Sequence, residues 1–272
     1  MHRKKGMSWE STKVYDWKNY LIPARPSKSE LKVIEEYILK LKKERKQVEA
    51  AILGSTVEFR SICHKHKLNV TVIEFSQKHY NVLSKQPMEY RGKEILRLED
   101  WRTMSTEKKY HLILGDLVFN GASKVGIVKI LRKTSQSLSK DGYCILRTWV
   151  RRSNKKYNLD EVINDHRKNR SRMHFYTSCL MPIYMCFYDF KDDRAEYPVL
   201  IKGLKEAYKR KKVTRKEYLY CYNRWKREGY EFTIPLKKRI ERIKSKYFKI
   251  EAVRYGKDCF RLWAPLYILR KK

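Results

Sequence analysis

The sequence predicts an α/β fold in which a seven-stranded, mostly parallel sheet is covered by helices, interrupted by a helical insertion and closed by an antiparallel hairpin. Three observations predict it. Short apolar runs alternate with helical patterns over residues 48–150, as in parallel sheets with helical crossovers. Residues 151–233 carry mainly helical patterns. Residues 234–272 contain two further strand patterns and complete the predicted core.

A predicted helical lead-in, residues 1–47, precedes the sheet. Its first part has no periodic pattern and ends in the segment 23–26, which contains two prolines. Ser27 and Glu30 then form a capping box, in which each side chain bonds a backbone amide that the helix leaves free. Apolar residues follow at helical spacing: Leu31, Ile34, Ile38 and Leu41. A helix should therefore begin at the capping box.

Five strands are predicted within residues 48–150. They span 48–53, 69–75, 94–100, 110–116 and 143–150. Helices are predicted near 57–66, 76–85 and 123–139, the last ending at Asp141-Gly142. Because strands and helices alternate, the strands should run parallel and be joined by right-handed crossovers.

The insertion, residues 151–233, holds ten of the twenty tyrosines. Its helices are predicted near 158–170, 198–212 and 214–228. The aromatic and methionine-rich stretch 173–190 should be broken at Pro182, since proline lacks the amide that a helix needs.

The closing segment begins with a short helix, which Pro235 opens and which should end near Lys246. Strands 248–254 and 259–269 follow, and the sequence Tyr255-Gly-Lys-Asp258 between them predicts a hairpin.

The charge balance is strongly positive. Sixty-four Lys and Arg face thirty Asp and Glu, a formal net charge of +34. The excess is uneven, because residues 201–250 carry eighteen cations and five acids. Such a field attracts polyanions such as nucleic acid or acidic peptides. A lysine-rich proteome combined with a need for solubility would give the same composition, so charge alone leaves both interpretations open.

Composition also bears on location and on metals. No apolar run approaches 18 residues, and the basic N-terminus is not followed by the apolar stretch of a signal peptide. The six cysteines form no C-x-x-C pair, and Cys179 and Cys186, which are seven residues apart, have no histidine nearby at zinc-ligand spacing. We therefore expect a cytoplasmic protein with reduced thiols, no membrane partner and no metal site.

Candidate ligand residues stand at four strand ends. Gly54 follows the first strand, where a glycine allows a sharp turn and close approach of a ligand. Glu74 ends the second strand, twenty residues on, and can accept hydrogen bonds from ribose hydroxyls. Asp100 and Trp101 end the third strand and could bind an adenine amino group and its ring. Asp116 ends the fourth strand.

These four ends should meet at one edge of the sheet, which predicts a nucleoside-type ligand. A dinucleotide site would require Gly-x-Gly-x-x-Gly, but Thr56 and Phe59 occupy the second and third glycine positions. A ligand with a ribose and no pyrophosphate therefore fits better.

At this point the sequence resembles class I S-adenosylmethionine-dependent methyltransferases, over about residues 20–150 and 234–270. The segment Leu53-Gly-Ser-Thr-Val-Glu-Phe-Arg60 is similar to the variant first motif Leu-Gly-x-Thr-Pro-Glu-x-Arg, with Val57 in place of proline. The Arg25-Pro-Ser27 segment and Asp100-Trp-Arg102 also resemble that subgroup. The resemblance implies a Rossmann-like sheet whose reversed seventh strand lies between strands five and six.

The resemblance also implies site residues and S-adenosylmethionine as the cofactor. Gly54, Ser55 and Thr56 would border the methionine moiety, Glu74 the ribose and Asp100 the adenine. Leu53, Glu58, Phe75, Trp101 and Gly115 complete the implied cofactor site. Asp116 would lie near the methionine amine or the substrate, and it is the candidate catalytic carboxylate.

Five further residues are candidate substrate contacts: Arg25, Arg147, Trp149, His174 and Tyr176. The tyrosines of the insertion could line an acceptor pocket or form the core of a small helical subdomain. No Asn/Asp-Pro-Pro-Tyr motif follows the fourth strand, so the signature of adenine or glutamine methylation is absent.

Three hypotheses on function follow. The first is methylation of a small molecule or a peptide under an aromatic cap formed by residues 151–233. The second is methylation of RNA held by the basic C-terminal surface. The third is a non-catalytic protein that binds S-adenosylmethionine. The sequence leaves the oligomeric state open.

Overall fold

The computed structural model describes residues 20–226 and 231–272, and predictions for residues 1–19 and 227–230 lie outside the described residues. The described chain divides into two compact units. One is Arg151–Leu236, and the other comprises residues 20–150 together with Lys237–Lys272. In the described part, no helix combines the length and the apolar character that crossing a membrane requires.

The described strands and helices follow in chain order. The strands are β1 (Glu49–Leu53), β2 (Asn69–Glu74), β3 (Glu94–Leu98), β4 (Tyr110–Asp116), β5 (Leu138–Arg147), β6 (Ala195–Glu196), β7 (Glu231–Phe232), β8 (Phe248–Arg254) and β9 (Leu266–Lys271). The helices are α1 (Lys28–Glu44), α2 (Val57–Lys65), α3 (Gln77–Ser84), α4 (Lys124–Ser137), α5 (Leu159–Asn169), α6 (Phe175–Phe187), α7 (Tyr197–Lys209), α8 (Arg215–Trp225) and α9 (Lys237–Lys244).

The larger unit is built on a seven-stranded sheet of order β3-β2-β1-β4-β5-β9-β8. Strands β1 to β5 are parallel, while β9 pairs antiparallel with both β5 and β8. The reversed last strand thus lies between β5 and β8. This confirms the predicted fold class, a Rossmann-like sheet of the methyltransferase type.

Helix α1 begins as the capping box predicts. The Glu30 amide donates to Ser27 Oγ at 3.2 Å, and the Ser27 amide donates to Glu30 Oε2 at 2.8 Å. Its buried apolar face, which includes Ile34 and Ile38, joins the hydrophobic core on one side of the sheet with Ile52 of β1. The described part of the lead-in therefore belongs to the same unit as the sheet.

Strand β5 begins earlier than the sequence predicts. Helix α4 ends at Ser137 and β5 starts at the next residue, so Asp141-Gly142 lies inside the strand instead of ending the helix. Leu138 is fully buried and pairs with Tyr110, which draws the chain into the sheet. A Cβ at Gly142 would lie 2.9 Å from the His111 carbonyl oxygen, so only glycine fits this close crossing.

The predicted antiparallel pairing of the last two strands is confirmed, but the four-residue connection is wrong, because β9 begins at Leu266 and not at residue 259. The connection spans residues 255–265 and contains a short 3₁₀ turn, Arg261–Trp263. Asp258 Oδ2 accepts hydrogen bonds from the hydroxyls of Ser27 at 2.5 Å and Ser29 at 2.6 Å. These bonds dock the loop on the start of α1 instead of extending the strand ladder.

The unit Arg151–Leu236 contains α5 to α8 and the two-stranded antiparallel pair β6–β7. The Arg151 amide donates to the Pro235 carbonyl at 3.0 Å, which joins the two ends of the unit. Contrary to prediction, α6 continues through Pro182. Most of its side chains are buried, so packing outweighs the one hydrogen bond that the proline removes.

Candidate functional site

The turn after β1 has the backbone that the sequence predicts. Gly54 adopts φ +91°, a conformation that side-chain-bearing residues rarely take. Its amide donates to the Ile73 carbonyl at 2.9 Å, and Trp101 Nε1 donates to the same oxygen at 2.7 Å. A Cβ at Gly54 would lie 3.5 Å from the Trp101 ring, so the glycine and the indole are direct neighbours.

Glu74 is held at the end of β2 by four donors. The amides of Phe75 and Ser76 donate to Oε1 at 3.0 and 3.3 Å. The Ser55 hydroxyl donates to Oε2 at 3.1 Å, and His79 Nδ1 lies 2.9 Å from the same oxygen. These contacts fix the carboxylate beside the turn that carries Gly54. Sequence reasoning missed His79, although its position in the first turn of α3, five residues after Glu74, was a usable signal.

The predicted adenine-binding residues meet at the end of β3. The rings of Phe75 and Trp101 contact edge to face, with centroids 6.2 Å apart. Asp100 accepts hydrogen bonds from Arg102, including its backbone amide at 2.8 Å. The Arg102 side chain lowers the pKa of the Asp100 carboxyl. The arginine partner was not foreseen, and the contact between Asp100 and adenine stays a prediction.

The start of α2 forms the other side of this turn. Thr56 is its N-cap residue and makes no side-chain capping bond. Glu58, in the first turn, is buried and ion-paired with Arg25. Leu53 is buried in the hydrophobic core that also contains Tyr110 and Ile113 of β4. Arg25 is therefore brought to the start of α2, beside the predicted methionine-binding residues, and its own predicted contact with substrate stays a prediction.

Asp116, at the end of β4, is paired with a buried arginine. Arg147 Nη1 donates to Asp116 Oδ1 at 2.9 Å. Burial raises the pKa of Asp116 to about 6, although the positive charge of Arg147 opposes the shift. The preceding Gly115 gives β4 and β5 room to pack, since a Cβ there would lie 2.8 Å from the side chain of Leu146.

Arg147 joins three parts of the larger unit. Besides Asp116, its Nε donates to Glu30 Oε1 at 2.8 Å and its Nη2 donates to the Pro23 carbonyl at 2.7 Å. Burial acts to lower the pKa of Arg147, but the two carboxylates raise it above its usual value. The side chain is fully buried. The structure thus gives Arg147 a positioning role, and its predicted contact with substrate stays untested.

Asp116→Asn should change how stability depends on pH. The carboxyl has an ordinary pKa near 3.8 and a native pKa of about 6, so between these values the native state holds a proton that the unfolded chain has lost. Its contribution to stability is fully present below about pH 4 and is lost as the pH rises through about 6. The free energy of unfolding should therefore fall less across this range in the variant, as urea titrations would show. Parallel profiles for the two proteins would contradict this.

Asn120 fixes the segment that follows β5. Its Nδ2 donates to the Trp149 carbonyl at 2.9 Å, and the Trp149 amide donates to Asn120 Oδ1 at 3.0 Å. Both residues are buried, Trp149 with 3% exposure. Little of the Trp149 side chain is open to a substrate. Asn120 was missed as a site-shaping residue, because nothing in the pattern around it marks a buried amide.

The remaining two candidates lie in the unit Arg151–Leu236. His174 is the exposed N-cap of α6, and its Nδ1 accepts from the Tyr176 amide at 3.2 Å. Burial lowers the pKa of His174, and the positive charge of Lys216 adds to the shift. Tyr176 is 2% exposed and lies in ring contact with Tyr220 and Trp225. These contacts favour the interpretation that the buried tyrosines form the unit's core.

Within the described residues, no group of three or more His, Cys, Asp or Glu could hold a metal ion. No two cysteines of the described residues form a disulfide, and Cys259 is the exposed one among them.

The chain matches none of the protein-family models, and no curated protein matches its sequence. In structure it is similar to a Rhodobacter sphaeroides protein described as a putative Zn-dependent alcohol dehydrogenase, with a TM-score of 0.57, 15% identity and 91% of each chain covered. The PH0226 protein of Pyrococcus horikoshii OT3 gives a TM-score of 0.50 and 14% identity, over 90% of this chain and 93% of that one. A methyltransferase that depends on S-adenosylmethionine, from Clostridium acetobutylicum ATCC 824, gives 0.49 and 12% identity, over 88% and 91%. At these identities, the first two similarities concern the fold alone.

Proposed function

We propose that this protein is a methyltransferase that uses S-adenosylmethionine. The observation that carries the proposal is the joint placement of Gly54, Glu74 and Trp101 at the carboxyl ends of neighbouring parallel strands. Open α/β sheets bind their ligands at this edge. The glycine turn, the oriented carboxylate and the indole suit a nucleoside better than a pyrophosphate.

The residues present fit this cofactor. Gly54, Ser55 and Thr56 would border its methionine moiety, and Glu74 would accept hydrogen bonds from the ribose. Phe75, Asp100 and Trp101 would bind the adenine. Two backbone amides already orient the Glu74 carboxylate through Oε1, and the ribose hydroxyls would take the place of the Ser55 and His79 contacts at Oε2. The cofactor supplies an activated methyl group, and the protein has to align the acceptor with it.

Asp116 is the proposed carboxylate on the acceptor side. Its pKa of about 6 leaves it largely ionised at neutral pH, where it can orient a polar acceptor or accept its proton at Oδ. Arg147 stabilises the ionised form and holds the side chain in place. We propose a small molecule or a peptide as the acceptor, and the unit Arg151–Leu236, which contains most of the predicted cap, as the part of the chain that selects it.

RNA is the second candidate acceptor. The observation that favours it is the group of exposed lysines and arginines between α7 and α8. The burial of Tyr176, Tyr184 and Tyr188 points the same way, since buried rings cannot line an open pocket for a small molecule.

Calorimetric titration with S-adenosylmethionine, S-adenosylhomocysteine and NAD tests the proposal. The first two should bind with a Kd on the order of micromolar and NAD should not bind. NAD binding alone would instead favour a dehydrogenase, in line with the description of the Rhodobacter protein. If none of the three binds, the proposed cofactor site is wrong.

A further inference from the structure

The cations of the smaller unit are most closely spaced in the turn between α7 and α8. Residues 209–216, here called the basic turn, join α7 to α8 and read Lys-Arg-Lys-Lys-Val-Thr-Arg-Lys. Six of these eight residues are cations and none is an acid. The sequence alone is also compatible with an ordinary solvated connection between two helices. The contacts around the basic turn distinguish that interpretation from a binding surface.

The basic turn is held in one conformation. Val213 is buried with 3% exposure and anchors the turn to the unit. The Thr214 hydroxyl accepts from the Glu217 amide, and the Glu217 carboxylate accepts from the Thr214 amide at 2.8 Å, which completes a capping box. Arg167 binds both oxygens of the same carboxylate at 2.5 and 2.6 Å. The cations around Val213 are therefore presented by a fixed backbone.

Four cations of the basic turn form no ion pair with an acid among the described residues. Lys209 pairs with Glu206 at 3.1 Å and Arg210 pairs with Asp160 at 3.0 Å. The other four are exposed and form no ion pair with any acid of residues 20–226 or 231–272: Lys211, Lys212, Arg215 and Lys216. Glu217, next along the chain, already bonds Arg167 and Thr214.

Two of these cations also lie where the dipole of their own helix disfavours a positive charge. Arg215 and Lys216 are the first two residues of α8, where the positive end of the helix dipole repels a positive charge. Acids are the usual choice at such positions, and Glu217 is the only one in this first turn. A local conflict without internal compensation is typical of a functional surface. An external anion would relieve it.

Aromatic rings lie beside the basic turn. Tyr208 directly precedes it, and Tyr218 follows it by two residues. Their rings stack with centroids 5.2 Å apart and planes 6° apart, and Tyr222 lies 5.8 Å from Tyr218. All three are partly exposed. Cations that contact phosphates and aromatic rings that stack on bases are the two components of single-strand binding surfaces.

We infer that the basic turn and the adjacent stack of Tyr208 and Tyr218 form a docking surface for single-stranded nucleic acid. An acidic peptide would neutralise the cations, but its carboxylates would not stack on the tyrosine rings. The inference deepens the second candidate acceptor, RNA, by naming the surface and the single-stranded form that it would contact, but it does not rest on methyl transfer, because binding can be measured without the cofactor. Failure of one therefore leaves the other open to its own test.

The test measures binding of a fluorescein-labelled 15-nucleotide oligouridylate to the full chain by anisotropy, over a range of salt concentrations. The variant Lys211→Gln/Lys212→Gln/Lys216→Gln removes three charges from the basic turn. Its matched control, Lys32→Gln/Lys43→Gln/Lys46→Gln, removes three exposed lysines in and next to α1. Because each phosphate contact on a single strand contributes about 0.7 to the log–log salt slope, the first variant should lose about 2 units of slope. Its affinity should fall about tenfold or more at moderate salt, and the control should stay within about twofold of the unaltered protein.

The stacked tyrosines are tested separately with Tyr218→Leu. This variant should bind the oligouridylate about tenfold more weakly, while its affinity for an RNA hairpin duplex should not change. Equal losses in the two triple variants would mean unspecific attraction by the net charge and would overturn the inference. Equally tight binding of polyglutamate would overturn the choice of nucleic acid. Circular dichroism melts confirm that each variant is folded.

Discussion

Arg147→Met is expected to lower the free energy of unfolding by about 3–5 kcal/mol, because it leaves two buried carboxylates without their cation. Glu30 Oε1 lies 2.8 Å from Arg147 Nε, and Asp116 Oδ1 lies 2.9 Å from Nη1. Methionine fills a similar volume, so the loss would reflect charge and hydrogen bonding more than an empty cavity. Urea denaturation at neutral pH measures the change.

Two further variants separate the possible causes. Arg147→Lys keeps the charge but not the planar fork that reaches Glu30, Asp116 and the Pro23 carbonyl, so its loss should be intermediate. Adding Glu30→Gln and Asp116→Asn to Arg147→Met removes the stranded charges and should recover much of the stability. A loss below about 1 kcal/mol in Arg147→Met would mean that water or local rearrangement compensates the carboxylates, and the positioning role would be wrong.

The parts of the fold that sequence predicts well are those governed by short-range patterns. The start of α1 follows from Ser27 and Glu30, three residues apart, whose mutual bonds depend on nothing beyond the helix itself. The strand before Gly54 and the strand that ends at Glu74 follow from continuous apolar runs, since a strand buried on both faces needs apolar residues throughout.

The parts that sequence predicts poorly depend on contacts between distant residues. The loop after β8 is long because Asp258 bonds Ser27 and Ser29, more than two hundred residues earlier in the chain. Helix α6 tolerates Pro182 because neighbouring elements bury it. No local pattern in the sequence marks the serines that bond Asp258 or the elements that bury α6. The turn sequence and the proline, taken alone, therefore predict the wrong local structure.

The candidate site divides in the same way. The positions of Gly54, Glu74, Asp100 and Asp116 follow from strand ends, because parallel strands bring their carboxyl ends to one edge. The side chains that form hydrogen bonds or ion pairs with these residues cannot be predicted from the strand ends. Arg147 meets Glu30 across 117 residues of chain and also bonds Asp116, so it orients that carboxylate, and its predicted contact with substrate stays a prediction. Sequence shows which groups are present at the edge, and the structure shows which of them are already engaged.

Glu74→Gln is expected to weaken binding of S-adenosylmethionine and of S-adenosylhomocysteine about tenfold or more, equivalent to about 1.4 kcal/mol. The amide would lose the charge that makes the carboxylate a strong acceptor for ribose hydroxyls. In either orientation of the glutamine amide, its NH₂ group would replace an accepting oxygen. It would then face either the amides of Phe75 and Ser76 or the hydroxyl of Ser55. Both ligands carry the same ribose, so they should lose affinity equally. Isothermal titration calorimetry measures both affinities.

Glu99→Gln is the matched control, since Glu99 lies just after β3 and its side chain bonds Arg97 and the Ser105 amide, whereas only its backbone amide bonds Glu74, at the carbonyl oxygen. It should bind both ligands within about twofold of the unaltered protein, as surface ion pairs contribute little. Asp100→Ala separates the adenine contact from the ribose contact: it should also weaken binding about tenfold, and it should weaken binding of free adenine as well, which Glu74→Gln should leave unchanged. Unchanged affinity in a folded Glu74→Gln/Asp100→Ala variant would remove the cofactor from the carboxyl edge of the sheet. The fold would then be of the methyltransferase type without its ligand site, and the basic turn would become the main evidence on function.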